Sequence, residues 1–222
     1  MERFFDQELN DVRTKLVHMA DLVVKNIKGA LKAMEDRDVD LAKSVMAADD
    51  EVDEMNVWVD QHAVEHFSLR APVATDVRLL YGAIKCSRDL ERTGDEASSM
   101  AKRAKRMAKR GYTGELYGLL ELADKAVALF QEALDCWMRA DADTARTIPG
   151  RDRDVDLLYR SISKEINKVL ESTTTDAPSL VDLLFIAKSL ERVGDHAANV
   201  AEEVVYLVTG DDIRYTEESS RK

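Results

Sequence analysis

The chain has 222 residues, enough to bury one large core or two small ones without disulfides or metals as staples. Charged residues make up 34% and aromatics 6%, with three prolines and nine glycines, a profile that favours long helices over sheets. The net charge of −11 argues against a nucleic-acid binder, and the two distant cysteines, Cys86 and Cys136, offer neither a disulfide framework nor a metal-ligand spacing.

The start, Met1-Glu2-Arg3-Phe4-Phe5-Asp6, lacks the basic region and apolar run of a leader, and nowhere do the roughly 18 uninterrupted apolar residues of a membrane span occur. A cytoplasmic protein without signal peptide or spanning helix is expected. A first helix is predicted to end near Asp36, because Leu9, Val12, Leu16, Met19, Val23, Ile27 and Ala30 recur as one apolar stripe. Asp38 is placed to cap a short helical piece. A second long helix is expected from Asp49 to Phe67 with Val52, Met55, Val59, Ala63 and Phe67 inward; Pro72 interrupts, and a third runs from Thr75 to Arg110. Further helices follow from Gly114 to Arg139, Arg151 to Leu170 and Pro178 to Val208, with Pro149-Gly150 breaking the chain before the middle one. No segment alternates as a strand would.

The second set copies the first. Glu91-Arg92-Thr93-Gly94-Asp95 superposes on Glu191-Arg192-Val193-Gly194-Asp195 at an offset of 100, whereas Asp38-x-Asp40-x-Ala42 matches Asp141-x-Asp143-x-Ala145 at an offset of 103. The change of offset means that the second copy lacks three residues between its middle and last helices, and a shorter loop is expected to absorb them. Short connections make neighbouring helices antiparallel. The fold class is therefore all-α, with two tandem, pseudo-symmetric three-helix bundles over residues 1–111 and 112–210 and a polar tail over 211–222.

Each copy carries acidic residues four apart on two helices: Asp49 and Asp53 with Glu91 and Asp95, then Asp152 and Asp156 with Glu191 and Asp195. Positions i and i+4 share a helix face, so like charges repel there unless compensated. Arg88, Arg92, Lys188 and Arg192 offer ordinary ion pairs; hard multivalent cations held by oxygen ligands from two helices are the alternative. Gly94 and Gly194, each beside an acidic residue inside a helix, suggest close helix approach at those points.

Other groups carry weaker readings. The block from Lys102 to Arg110 ends at Gly111, where cations complement the helix dipole; docking to a partner or to anionic lipid is the second reading. His62-Ala63-Val64-Glu65-His66 fits an inverted zinc-peptidase pattern but lacks a third ligand, and a partly solvated helix end is the plainer account. His196 stands where the first copy has Glu96, and is read as an exposed polar residue or a peripheral ligand. Trp58, Trp137 and the methionines read as core. No Gly-rich phosphate loop or nucleophile elbow occurs, so no enzyme is expected, and a carboxylate-bridged metalloenzyme of the helical-bundle type is the alternative function.

Two Glu-Arg-x-Gly-Asp elements about 100 residues apart, with Asp38-Val39-Asp40-Leu41-Ala42-Lys43, Ala74-Thr75-Asp76-Val77-Arg78 and Ala198-Asn199 around them, resemble the PhoU family over nearly the whole chain. The resemblance implies a cytoplasmic, homodimeric negative regulator of high-affinity phosphate uptake. Its implied partners are the ATP-binding subunit of the phosphate ABC transporter and a sensor histidine kinase, with peripheral membrane association through them and no nucleic acid. It also implies iron or another di- or trivalent metal at Asp49, Asp53, Glu91, Asp95, Asp152, Asp156, Glu191 and Asp195. Ser99 stands opposite Asn199 of the second copy and is the poorer ligand, so the two sites are expected to differ in affinity.

Overall fold

The computed structural model describes residues 4–69, 73–172 and 176–214, and there it forms eight helices and no strand. The first repeat comprises α1 (Phe4–Asp36), α2 (Val39–Ala47), α3 (Asp49–Leu69) and α4 (Ala74–Arg110); the second comprises α5 (Leu119–Arg139), α6 (Ala142–Ala145), α7 (Ile148–Leu170) and α8 (Ala177–Thr209). The expected stripe of α1 is buried from Leu9 to Ala30. The turn after it recurs in both copies. Arg37 and Ala140 take left-handed φ values of 56° and 52°. The next residue then caps the short helix: Asp38 Oδ1 accepts from the N–H of Asp40 and Leu41, and Asp141 Oδ1 from that of Thr144. Such a cap contributes about 1 kcal/mol.

Several expected boundaries move. Residues 114–118 are not helical: Tyr112 turns its hydroxyl onto the Glu115 carbonyl and lies over Gly114, and Gly118 takes φ 77° before α5 begins. Pro149-Gly150 does not break the chain but lies within the first turn of α7, where the N–H that proline lacks would have no helical partner. Phe67 is 37% exposed, and His66 takes the inward place after Ala63, because the stripe Val59, Ala63, His66 follows the helical period and Phe67 has turned past it. Pro72 lies outside the described residues.

The missing three residues do not shorten a loop. The connection before α8 is longer than the one before α4, and α8 is the shorter helix. From Ala74 to Gly94 there are 20 steps and from Ala177 to Gly194 there are 17, so α4 carries almost one extra N-terminal turn.

Within each repeat, α1, α3 and α4, or α5, α7 and α8, pack as a bundle, and α4 and α8 then pack on one another so that the buried residues of both copies make one continuous core. α4 and α8 run antiparallel: Lys85 meets Glu203 near one end, and Arg110 meets Asp182 near the other.

Candidate functional site

The glycine of each signature marks where the middle helix crosses the last. A Cβ added to Gly94 would lie 3.2 Å from Val52 Cγ1 and 3.3 Å from Asp49 Oδ1; one on Gly194 would lie 3.2 Å from Val155 Cγ1 and 2.4 Å from Asp152 Oδ1. The same Asp-x-x-Val element therefore sits over the same glycine in both copies, and the bare helix surface there admits the aspartate. This sets Asp49 of α3 against the signature of α4, with Asp53 close enough to act on Glu91 and Asp95, and sets Asp152 of α7 against the signature of α8.

In the first copy three of the carboxylates, Asp49, Glu91 and Asp95, are raised, and Asp53 is among the causes for each. Burial raises the Asp49 carboxyl above its ordinary range, a hydrogen bond from Ser98 draws it back, and the charges of Asp95, Asp53 and Asp50 add to the rise. Burial likewise raises Glu91, with Asp95 and Asp53 adding to it against Arg92 and Arg88. Asp95 rises through burial and then through Asp53 and Glu96. Among the described residues no Lys or Arg comes within 4.0 Å of these four carboxylates.

The second copy is compensated differently. Lys188 pairs with Glu191, Arg160 stands 3.9 Å from Asp156, and Asp152 is buried at 6% exposure. At the place of Arg160 the first copy has Val57, which leaves the first set with the larger unmet negative charge. Arg192 reaches across to Glu96 at 2.7 Å, and the charges of Glu191 and Asp195 in its own signature act on it less strongly.

Among the described residues no group of three or more His, Cys, Asp or Glu side chains converges closely enough to hold an ion as they stand. The donor set nonetheless suits a hard cation: it consists only of carboxylate oxygens, it spans two helices, and in the first copy the nearby Arg88 and Arg92 offset its mutual repulsion without closing an ion pair among the described residues. Beside it a shallow cleft of about 260 Å³ is lined by Asp95, Ser98, Ser99, Lys102, Arg103 and Arg106.

The remaining candidates have structural partners. His196 is buried, not exposed, and its Nδ1 lies 2.9 Å from Asp89 Oδ1 across the α4–α8 seam; Asn199 Nδ2 donates to the same oxygen at 3.1 Å, so it serves the seam and not the carboxylate set. Three arginines of the basic block turn onto buried Asp182 of α8, with nitrogens of Arg103, Arg106 and Arg110 at 3.2, 3.9 and 2.6 Å from its oxygens. The Arg103 guanidinium also stacks on Phe185 at 4.0 Å. His62 stacks on Trp58 and reaches the Trp58 carbonyl, and buried His66 stands 3.5 Å from Glu8, so the two histidines engage separate partners. Sequence reasoning missed Lys85, Asp89, Asp182 and Glu203, the seam residues. Their signal was present as charged positions recurring along the apolar faces of the last helices.

Two stretches of the chain, residues 16–104 and 119–204, match the family model described as the PhoU domain. The chain belongs to the PhoU family. The match falls on both repeats, in keeping with an all-α fold of two tandem bundles. Among its relatives is the phosphate-specific transport system accessory protein PhoU homolog of Pseudomonas aeruginosa, 36% identical over 95% of this chain and 88% of that protein. The PhoU accessory protein of Escherichia coli K12 is 32% identical over the same shares, 95% and 88%. The crystal structure of PhoU from Pseudomonas aeruginosa superposes with a TM-score of 0.90, covering 93% of this chain and all of that one. That of the phosphate transport system regulatory protein PhoU from Streptococcus pneumoniae, 25% identical, gives 0.86 over 94% and 99%. No described helix is long and apolar enough to cross a membrane.

Proposed function

We propose that this protein is a cytoplasmic, non-enzymatic accessory regulator of phosphate-specific transport. It restrains uptake and phosphate-starvation signalling by contact with the ATP-binding subunit of the transporter and with a sensor histidine kinase. The observation that carries this reading is the extent of the likeness: both repeats, 95% of the chain, align with proteins named as accessory to that transport system. Deleting the gene should raise phosphate uptake and starvation-gene expression in phosphate-rich medium, and restoring it should reverse both. Unchanged uptake and expression would overturn the proposal. Pulldown with the ATP-binding subunit and with the kinase tests the two contacts separately.

The carboxylate sets are part of the proposal as cation sites, with Asp49, Asp53, Glu91 and Asp95 holding one and Asp152, Asp156, Glu191 and Asp195 the other. A bound cation would neutralise the repulsion within each set and tie the middle helix to the last, a structural or tuning role. Iron is the metal that the resemblance suggests. Asp95→Asn with Glu91→Gln should lower metal bound by the first copy only, read by element analysis of anaerobically purified protein. Unaltered metal content in that double variant would refute the assignment.

A further inference from the structure

At one end of the α4–α8 seam a cavity of about 350 Å³ opens between the first turns of α4, the last turns of α8, Phe67 of α3 and the segment just after α8. That volume lies within the range of small-molecule sites, roughly 300–1,000 Å³. Its apolar wall is aromatic: Tyr81 and Tyr206 meet edge to face at 6.2 Å, and Phe67 joins them, with Tyr81 44% and Phe67 37% exposed.

The charges lining the cavity are unequally committed. Lys85 lies over the Tyr81 ring and pairs with Glu203, and Arg214 pairs with Asp212. Arg78 is different. Its Nε is buried without a hydrogen-bond partner among the described residues, and its Nη1 lies so close to Gly210 that a Cβ there would approach to 2.9 Å. A buried N–H on a charged group left without a partner is unfavourable, and a guanidinium fork is shaped to receive a carboxylate or phosphate through two hydrogen bonds.

The opposite end of the seam shows what satisfaction looks like. There Arg103, Arg106 and Arg110 share the carboxylate of Asp182, with Phe185 stacked beneath Arg103. At the offset of 100, the position of Asp182 corresponds to Gly82 and that of Pro178 to Arg78. The cavity end therefore has rings and a guanidinium whose Nε lacks a partner among the described residues, with glycine where the other end has Asp182.

The geometry points to a binding site at this end of the seam for a small molecule that joins one carboxylate or phosphate to an aromatic ring, with Arg78 receiving the anion and Tyr81, Tyr206 and Phe67 receiving the ring. Glu202, Glu203 and Asp212 line the same space, so a second negative charge on the ligand is disfavoured. This site is separate from the carboxylate sets and does not depend on the transport role.

The test uses the full chain carrying 3-fluorotyrosine, with the Tyr81 and Tyr206 signals assigned by Tyr→Phe variants and followed by fluorine NMR. Phenyl phosphate and benzoate are titrated as ring-bearing anions, with inorganic phosphate and phenol each lacking one half. Saturable shifts at both tyrosines with at least one ring-bearing anion are expected, at least tenfold weaker with inorganic phosphate and with phenol. Comparing the two ring-bearing anions tells phosphate from carboxylate. Arg78→Gln should weaken binding at least tenfold and Arg78→Lys less, with circular dichroism confirming the helical fold. Should Arg78→Gln fail to fold, Phe67→Ala, at an exposed position, supplies the second variant with the same expected weakening. No saturable shift with either ring-bearing anion, equal binding of inorganic phosphate, or binding unaltered by a folded Arg78→Gln would overturn the site.

Discussion

Replacing Gly194 with alanine tests the idea that the signature glycine exists to admit the aspartate of the neighbouring helix. On helix propensity alone the change should stabilise α8 by about 1 kcal/mol. Against that, the new Cβ would lie 2.4 Å from Asp152 Oδ1 and 3.2 Å from Val155 Cγ1, so the buried aspartate or the α7 backbone must move. Overpacking of this kind costs about 1–3 kcal/mol, which outweighs the propensity gain and leaves a net loss of up to about 2 kcal/mol. Gly94→Ala meets its nearest atoms at 3.2 and 3.3 Å, so Val52 and Asp49 need give by only a few tenths of an ångström. Its net effect should stay within about 1 kcal/mol of wild type. The contrast isolates Asp152, because the valine contact is the same in both copies. Urea unfolding of Gly194→Ala, Asp152→Ala and the double variant, measured on metal-free protein, forms a closed cycle in which removing the carboxylate should relieve the alanine by about 1–2 kcal/mol. A Gly194→Ala protein stabilised by the full propensity gain, or a cycle that closes additively, would refute the reasoning.

Three further outcomes follow from the same contacts. Since Asp49, Glu91 and Asp95 have raised carboxyls, the folded metal-free protein binds more protons than the unfolded chain between their ordinary and raised values. Stability should therefore fall as pH rises through that window and recover as pH is lowered. Glu91→Gln with Asp95→Asn should flatten that dependence and stabilise metal-free protein at neutral pH by a few tenths of a kcal/mol, the effect being kept small by solvent screening; thermal melts across pH that show a loss instead would contradict the charge argument. Asp182→Asn leaves Arg103, Arg106 and Arg110 without their shared carboxylate and should destabilise by about 1–3 kcal/mol, measured by urea unfolding, whereas an unaltered midpoint would mean that the cluster contributes nothing. A cycle of His196→Ala and Asp89→Ala should show a coupling of about 1 kcal/mol, and independent effects would remove the seam bond from the account.

Much of the helical frame was legible because its signals are local. The α1 stripe repeats with the helical period, Asp38 caps where its spacing requires, and Gly111 ends α4 with φ 72°. The two glycines marked the helix crossings because a helix-interior glycine is costly unless something approaches closely, and Asp49 and Asp152 do. What escaped was set by distant partners. His66 turns inward beside Glu8 of α1, a partner 58 residues back along the chain. The fate of the basic block depends on a carboxylate 72 to 79 residues further along the chain. Pro149-Gly150 reads equally well as a break or as a first turn until the N–H groups of that turn are counted. The three-residue change of offset located the difference between copies without saying whether helix or loop would yield, and the helix yielded because nearly a whole turn can be removed with little rotation of the faces beyond it.

The antiparallel seam also decides which halves can recognise each other. Arg103 faces Asp182 and Lys85 faces Glu203, while at the offset of 100 Arg103 is the counterpart of Glu203. Two first repeats docked through this surface would set Lys85 against Arg103; two second repeats would set Asp182 against Glu203. Either homotypic pairing brings like charges together in a buried strip, and only the unlike pairing joins opposites. The descendants of a duplicated unit have thus become a lock and its one key, carried on a single polypeptide.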